Sequence, residues 1–213
     1  MGPRTFFVRV ATAVAVLAAG GCMRGSAGSA PAGATLYEAC AGCHGTAGQG
    51  NVALGAPRIA GMPAWYVAAQ LKRFQDGLRG KHPDDIEGLR MRAMSKQMLS
   101  EAETAAVADH VAGLAPAASP ALLASADKSA GEKLYPTCAA CHGLKGEGNE
   151  QVKAPPLAGI DDWYAELQLR KFRSGIRGKA PNDPVGPIMQ SMSMTIPADA
   201  VDDLAAYVHS LSK

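Results

Sequence analysis

The sequence predicts an all-α protein built as two tandem copies of one small unit. Three observations carry this reading. Leu36-Tyr37-Glu38-Ala39-Cys40-Ala41-Gly42-Cys43-His44-Gly45 returns as Leu134-Tyr135-Pro136-Thr137-Cys138-Ala139-Ala140-Cys141-His142-Gly143, and later pairs keep the same offset of 98. Apolar residues recur at helical spacing in both copies, and no stretch sustains the alternation of a strand. Residues 115–126, between the copies, are rich in Ala, Pro and Ser, the composition of a linker.

The chain opens on a leader, not on the fold. Arg4 and Arg9 form a basic start, and the 14 residues 10–23 carry no charge. That run is too short to span a bilayer. With its basic flank and small-residue exit it predicts a secretory signal over residues 1–21, in preference to a buried helix. Ala19-Gly20-Gly21-Cys22 resembles a bacterial lipobox, with Ala19 where Leu is usual; ordinary cleavage near Ala27 or Ala30 is the other exit. Of five cysteines, four fall in two CxxC pairs and Cys22 is left over. Lipid attachment at Cys22 accounts for it, in an exported segment 22–34 that leads into the fold. The expected location is periplasmic, with membrane contact only through that lipid. Without Arg4 and Arg9 the basic and acidic residues balance. An even balance provides neither a basic field for nucleic acid nor a polybasic patch for lipid.

The first copy is expected over residues 35–114. A short helix enters the first CxxCH from Leu36. A second follows Pro63, with Tyr66, Val67, Leu71, Phe74 and Leu78 on one stripe and Gly77 and Gly80 to end it. Ser100 with Glu103 forms a capping box that starts a closing helix, lined by Val107, Val111 and Leu114. The second copy, over 127–213, repeats the plan: a helix from Leu134, another over about 162–176, and a last one carrying Val201, Leu204, Ala205, Val208 and Leu211. Aromatic residues are only 5% of the chain, so two cores built from this stock are thin and need a staple.

CxxCH provides one. It is the attachment signature of c-type haem: two thiols add across the porphyrin vinyls, and the adjacent histidine lies under the iron. Cys40, Cys43, Cys138 and Cys141 are therefore expected to hold two covalent haems, with His44 and His142 as proximal ligands. The rival readings are weak. A zinc site wants its two CxxC pairs about 15–20 residues apart, a thioredoxin-like pair wants a βαβ setting, and plain disulfides leave both histidines unexplained. A carrier iron wants a sixth ligand, and thioether sulfur raises the haem potential. Met91, Met94 and Met98 are candidates in the first copy, and Met189, Met192 and Met194 in the second. The repeat removes Met98 and Met194, whose counterparts are Ile196 and Lys96. Met91 with Met189, and Met94 with Met192, remain as equally spaced pairs.

CAGCHG, PRIAG at 57–61, Tyr66 and Gln70-Leu71, answered by CAACHG, PPLAG at 155–159, Tyr164 and Gln168-Leu169, resemble the cytochrome c4 family of di-haem class I cytochromes c. The resemblance implies two tandem cytochrome c domains, each enclosing one covalent haem, about an approximate two-fold axis. It favours Met91 and Met189 as axial ligands, with Met94 and Met192 packing nearby. It also implies that the carbonyls of Pro57 and Pro155 accept from the proximal histidines, and that Tyr66 and Tyr164 reach haem propionates or serve the core. Trp65 and Trp163 read as haem-packing aromatics, His82, His110 and His209 as exposed. The repeated Arg79-Gly80-Lys81 and Arg177-Gly178-Lys179 read as solvated turns in preference to propionate-neutralising charges.

A closed His/Met shell leaves no position for substrate, so the expected function is to carry single electrons in an exported respiratory-type chain and not to catalyse. The expected partners are redox proteins such as a quinol-cytochrome c reductase and a terminal oxidase. One alternative is an electron-entry subunit of a membrane oxidase or dehydrogenase. Another is a peroxidase-like di-haem enzyme, which needs an open iron that equal methionine spacing argues against.

Overall fold

The computed structural model describes residues 1–2, 32–98, 100–116 and 118–211. Residues 3–31, with most of the expected signal and Cys22, lie outside them. Nine α-helices order the described residues: α1 (Gly33–His44), α2 (Ala64–Gln75), α3 (Ile86–Ser95), α4 (Glu101–Gly113), α5 (Lys128–Leu134), α6 (Pro136–His142), α7 (Asp162–Ser174), α8 (Gly186–Met194) and α9 (Val201–Ser210). The only strand-like pairings among them are two isolated bridges, Asn51 with Ala56 and Asn149 with Ala154.

The halves pack alike. In the first, α1 and α2 lie on α4 and α3 lies on α2; in the second, α5 and α7 lie on α9 and α8 lies on α7. Tyr37, Leu71, Val107 and Val111 form one core, and Tyr135, Ile196, Val201, Leu204 and Val208 the other. The entry and closing helices approach closely because each crossing has a glycine. A Cβ on Gly33 would lie 2.0 Å from the Ala106 carbonyl oxygen, and one on Gly131 would lie 2.1 Å from that of Asp203.

Local sequence explains where the copies differ. α1 runs unbroken into its CxxCH, with Glu38 in mid-helix, whereas Pro136 occupies the first turn of α6, so the second copy breaks at Tyr135. Pro63 caps α2 from outside and does not enter it. The capping box of α4 is made in both directions, from Glu103 N–H to the Ser100 hydroxyl and from Ser100 N–H to the Glu103 carboxylate. The methionine segments form helices α3 and α8, in addition to the three helices expected in each copy. Asp85 accepts from Gly88 N–H to start α3, and Asp183 accepts from Val185 and Gly186 N–H to start α8.

The connection between the copies is anchored. The backbone N–H groups of Leu122 and Leu123 donate to Asp162 at 2.7 and 2.8 Å, and Asp162 is fully buried at the start of α7. No helix among the described residues is long and apolar enough to cross a membrane.

The halves meet through exchanged partners. Arg73 of α2 pairs with Asp183, and Lys171, its counterpart on α7, pairs with Asp85 at 2.6 Å. Asp85 and Asp183 are themselves 98 apart. A contact whose two members swap copies in this way is what an internal two-fold axis requires.

Candidate functional site

α1 and α6 end on histidine, and the following glycines, Gly45 and Gly143, turn the chain with φ of 78° and 84°. His44 and His142 are thereby buried, at 6% and 5% exposure. His44 Nδ1–H donates to the Pro57 carbonyl, and His142 Nδ1–H to that of Pro155, both at 2.8 Å. That bond leaves Nε2 of each ring for a metal and fixes the ring plane. Burial pushes both imidazoles below their usual pKa, against the pull of the proline carbonyl, so they are neutral donors.

Cys40 and Cys138 stand one helical turn before the histidines, and Cys43 and Cys141 directly before them. Cys40 and Cys138 are half-buried, Cys43 and Cys141 exposed, and all four are free. Among the described residues no group of three His, Cys, Asp or Glu could cage a metal ion. The set fits a haem: paired thiols for the vinyls and a buried neutral imidazole with one nitrogen spare. Tyr37 OH donates to the Gly45 carbonyl at 2.8 Å, and Tyr135 OH to that of Gly143 at 2.7 Å, so each braces the turn beside its histidine. The sequence reading used these tyrosines only as repeat markers; their fixed place ahead of both CxxCH runs was the available signal.

Met91 and Met94 lie on α3, and Met189 and Met192 on α8, all half-buried. Met91 packs against the first core, and the Met94 sulfur accepts from the Gln97 amide at 3.4 Å. Met98 packs against the first core as Ile196 does in the second, and Met194 is exposed.

Several readings need correction. Arg79 is buried and Arg177 half-buried, so the two turns are not simply solvated; only Lys81 and Lys179 are exposed. The second domain covers the arginine of the first and the reverse, which no local pattern announces. His82 is exposed, but His110 stacks at 5.0 Å on Tyr37, and His209 Nδ1–H donates to the Ile160 carbonyl at 2.7 Å. Trp65 and Trp163 are half-buried, and each packs edge-on to the following tyrosine, Tyr66 or Tyr164, at 5.7 Å.

The Cytochrome c family profile matches residues 30–115 and again 129–212. The thiosulfate dehydrogenase electron acceptor of Stutzerimonas stutzeri (strain A1501) is 35% identical over 173 residues, which is 79% of this chain and 77% of that protein. The crystal structure of reduced cytochrome c4 from Pseudomonas stutzeri superposes with a TM-score of 0.68 at 27% identity, covering 84% of this chain and 96% of that one. Thiosulfate dehydrogenase of Marichromatium purpuratum superposes at 0.69 with 33% identity over 84% of this chain, which spans 39% of that longer chain.

Proposed function

The chain belongs to the cytochrome c family, as a tandem di-haem electron carrier of the cytochrome c4 kind, and from that membership we propose that it accepts single electrons from a thiosulfate-oxidising dehydrogenase and delivers them to a terminal oxidase. The carrying observation is the sameness of the two sites: two buried histidines with the same 2.8 Å bond to a proline carbonyl, and methionines at equal spacing. Two like, closed sites suit passing electrons on; an enzyme needs one site left open. When bound, each haem supplies a one-electron ferric/ferrous couple.

Cys40 and Cys43 hold one haem and Cys138 and Cys141 the other. His44 and His142 would hold the irons, and Met91 and Met189 would supply the sixth ligands; the Gln97 contact that engages Met94 supports this choice in the first copy. The domains run over 35–114 and 127–213. Export by the leader 1–21 and lipid on Cys22 place the carrier at the outer face of the cytoplasmic membrane. The even charge balance supports docking by short-range contacts in preference to long-range steering.

The test is stopped-flow mixing of the oxidised protein with a thiosulfate dehydrogenase and thiosulfate. Both haems are expected to reduce, and a terminal oxidase to reoxidise them. A chain that holds two haems but is not reduced rejects this donor. Detergent co-purification with a membrane complex assigns it instead to a fixed subunit. For the anchor, wild type is expected in bacterial membranes and Cys22→Ser in the soluble fraction; equal solubility rejects the lipid.

A further inference from the structure

Electron carrying makes no use of Lys81 and Lys179, which end the two repeated Arg-Gly-Lys turns. Those turns face each other across a groove of about 310 Å³. Lys81 and His82 line it from the first copy and Lys179 from the second, among glycines of both.

The glycines put the lysines in place. Gly77 and Gly175 hold φ of 73° and 77°. A Cβ on Gly77 would lie 2.3 Å from Lys81 Cε, and one on Gly175 would lie 2.5 Å from Lys179 Cε. Each lysine therefore folds back over the bare backbone of its own turn. Its Nζ lies only 3.0 or 2.7 Å from the same point, so the ammonium has a defined seat.

These charges lack partners. Among the described residues neither ammonium has a hydrogen bond or ion pair, and no Asp or Glu lines the groove. The nearby acids are engaged elsewhere: Asp76 by Lys72, Asp85 by Lys171 and Asp183 by Arg73. The Asp84 carboxylate lies 3.7 Å from the His82 ring, but it is 74% exposed and outside the lining. His82 Nδ1 accepts from Asp84 N–H at 3.2 Å, which leaves its Nε2–H as a donor. The backbone adds more. The N–H groups of Gly80 and Lys81, and of Gly178 and Lys179, donate to no group among the described residues. Successive unpaired N–H groups in a turn make a concavity that suits an anion.

We propose that this groove binds a divalent oxyanion of the sulfate class, shared between Lys81 and Lys179, and that the bound anion ties the two domains together. Two ammoniums, one from each copy, match two negative charges. The spare N–H donors match an ion with several acceptor oxygens and not a halide. The site uses no residue assigned to haem, so it stands or falls separately from the electron-carrying reading.

The test is isothermal titration calorimetry of the haem-loaded protein with sodium sulfate, and separately with sodium thiosulfate, at ionic strength held constant with sodium chloride. Both anions are expected to bind saturably, with a single anion per chain. Lys81→Gln and Lys179→Gln are each expected to weaken binding about tenfold or more, and Lys128→Gln, on α5, to leave it unchanged. Gly77→Ala keeps both charges but displaces the Lys81 stem, and is expected to weaken binding as Lys81→Gln does. Absence of saturable binding, or binding kept by both lysine variants, overturns the site. Two anions per chain mean separate sites and reject the sharing. Wild-type affinity in Gly77→Ala reduces the lysines to diffuse charge and rejects a built site. Sulfate stabilises any protein by exclusion, so the tie between domains is read as a difference. Sulfate is expected to raise the melting temperature of the wild type more than that of the Lys81→Gln, Lys179→Gln double variant. An equal rise in the two overturns the tie.

Discussion

His44 and His142 each commit one nitrogen to a proline carbonyl, so what remains to be fixed in the two proposed coordination spheres is which methionine completes them. Ferric haem with a thioether ligand shows a weak near-infrared charge-transfer band. Met91→Ala and Met189→Ala are each expected to remove about half of that band and to lower one potential. Met94→Ala and Met192→Ala are expected to leave it, at a packing cost of at most ~2–5 kcal/mol in denaturant titration. Loss of the band with Met94 and Met192 instead exchanges the ligand pair. The histidines and cysteines were legible in sequence because CxxCH is a local pattern. The methionine pair was not separable by spacing, since residues three apart share one helix face. The tyrosines beside the haem turns give a pH test. Burial pushes Tyr37 and Tyr135 from 10.0 up to about 12. The stability they contribute is whole below pH 10.0 and lost as pH rises toward about 12. In alkaline unfolding followed by circular dichroism, the Tyr37→Phe, Tyr135→Phe double variant is expected to lose that step, and at neutral pH to lose ~1 kcal/mol for each hydrogen bond.

At the scale of the element, the helix crossings decide how tightly each domain closes around its haem. Gly33 and Gly131 each face a backbone carbonyl of the closing helix, which cannot move aside as a flexible side chain can. Gly33→Ala and Gly131→Ala are expected to destabilise by ~1–3 kcal/mol through overpacking, measured by denaturant titration of the holoprotein. Gly113, also helical, has open space where its Cβ would be, so Gly113→Ala is expected to stabilise by ~0.4–1 kcal/mol. An equal gain at all three positions would show helix propensity at work and not the crossing. The entry and closing helices were readable from their stripes and capping box. α3 and α8 were not, because Pro187, Gly88 and Gly186 break the apolar period and the aspartates that start them are recognisable only once their N–H partners are known. Composition alone puts a connection between the copies, but its anchoring on Asp162 depends on a residue 40 positions away from Leu122.

Across the whole molecule, reciprocity makes the two domains one unit, and the places where it fails show where the unit is strongest. Lys171 and Arg73 are counterparts, each paired with an aspartate of the other copy. Lys171 also reaches Glu87 at 2.5 Å, while the counterpart of Glu87 is Val185, so Arg73 has no second carboxylate there. The ammonium of Lys171 and the carboxylate of Asp85 are only 6% and 5% exposed, so each depends on the other for compensation. Lys171→Met keeps the bulk of the stem and removes the charge. Asp85 is then a buried carboxylate without its cation, a loss of ~3–5 kcal/mol. That loss falls on the interface and spares the haem cores. Scanning calorimetry of the holoprotein is therefore expected to resolve two separate transitions in Lys171→Met where the wild type unfolds in one. Glu87 is 33% exposed, its contact is screened by water, and Glu87→Gln is expected to keep the single transition. If Lys171→Met still unfolds in one step, the Arg73–Asp183 pair, the Arg58–Asp161 contact and the bonds of Arg79 and Arg177 to Gln70 and Gln168 suffice to hold the domains together, and the Lys171–Asp85 pair only orients them.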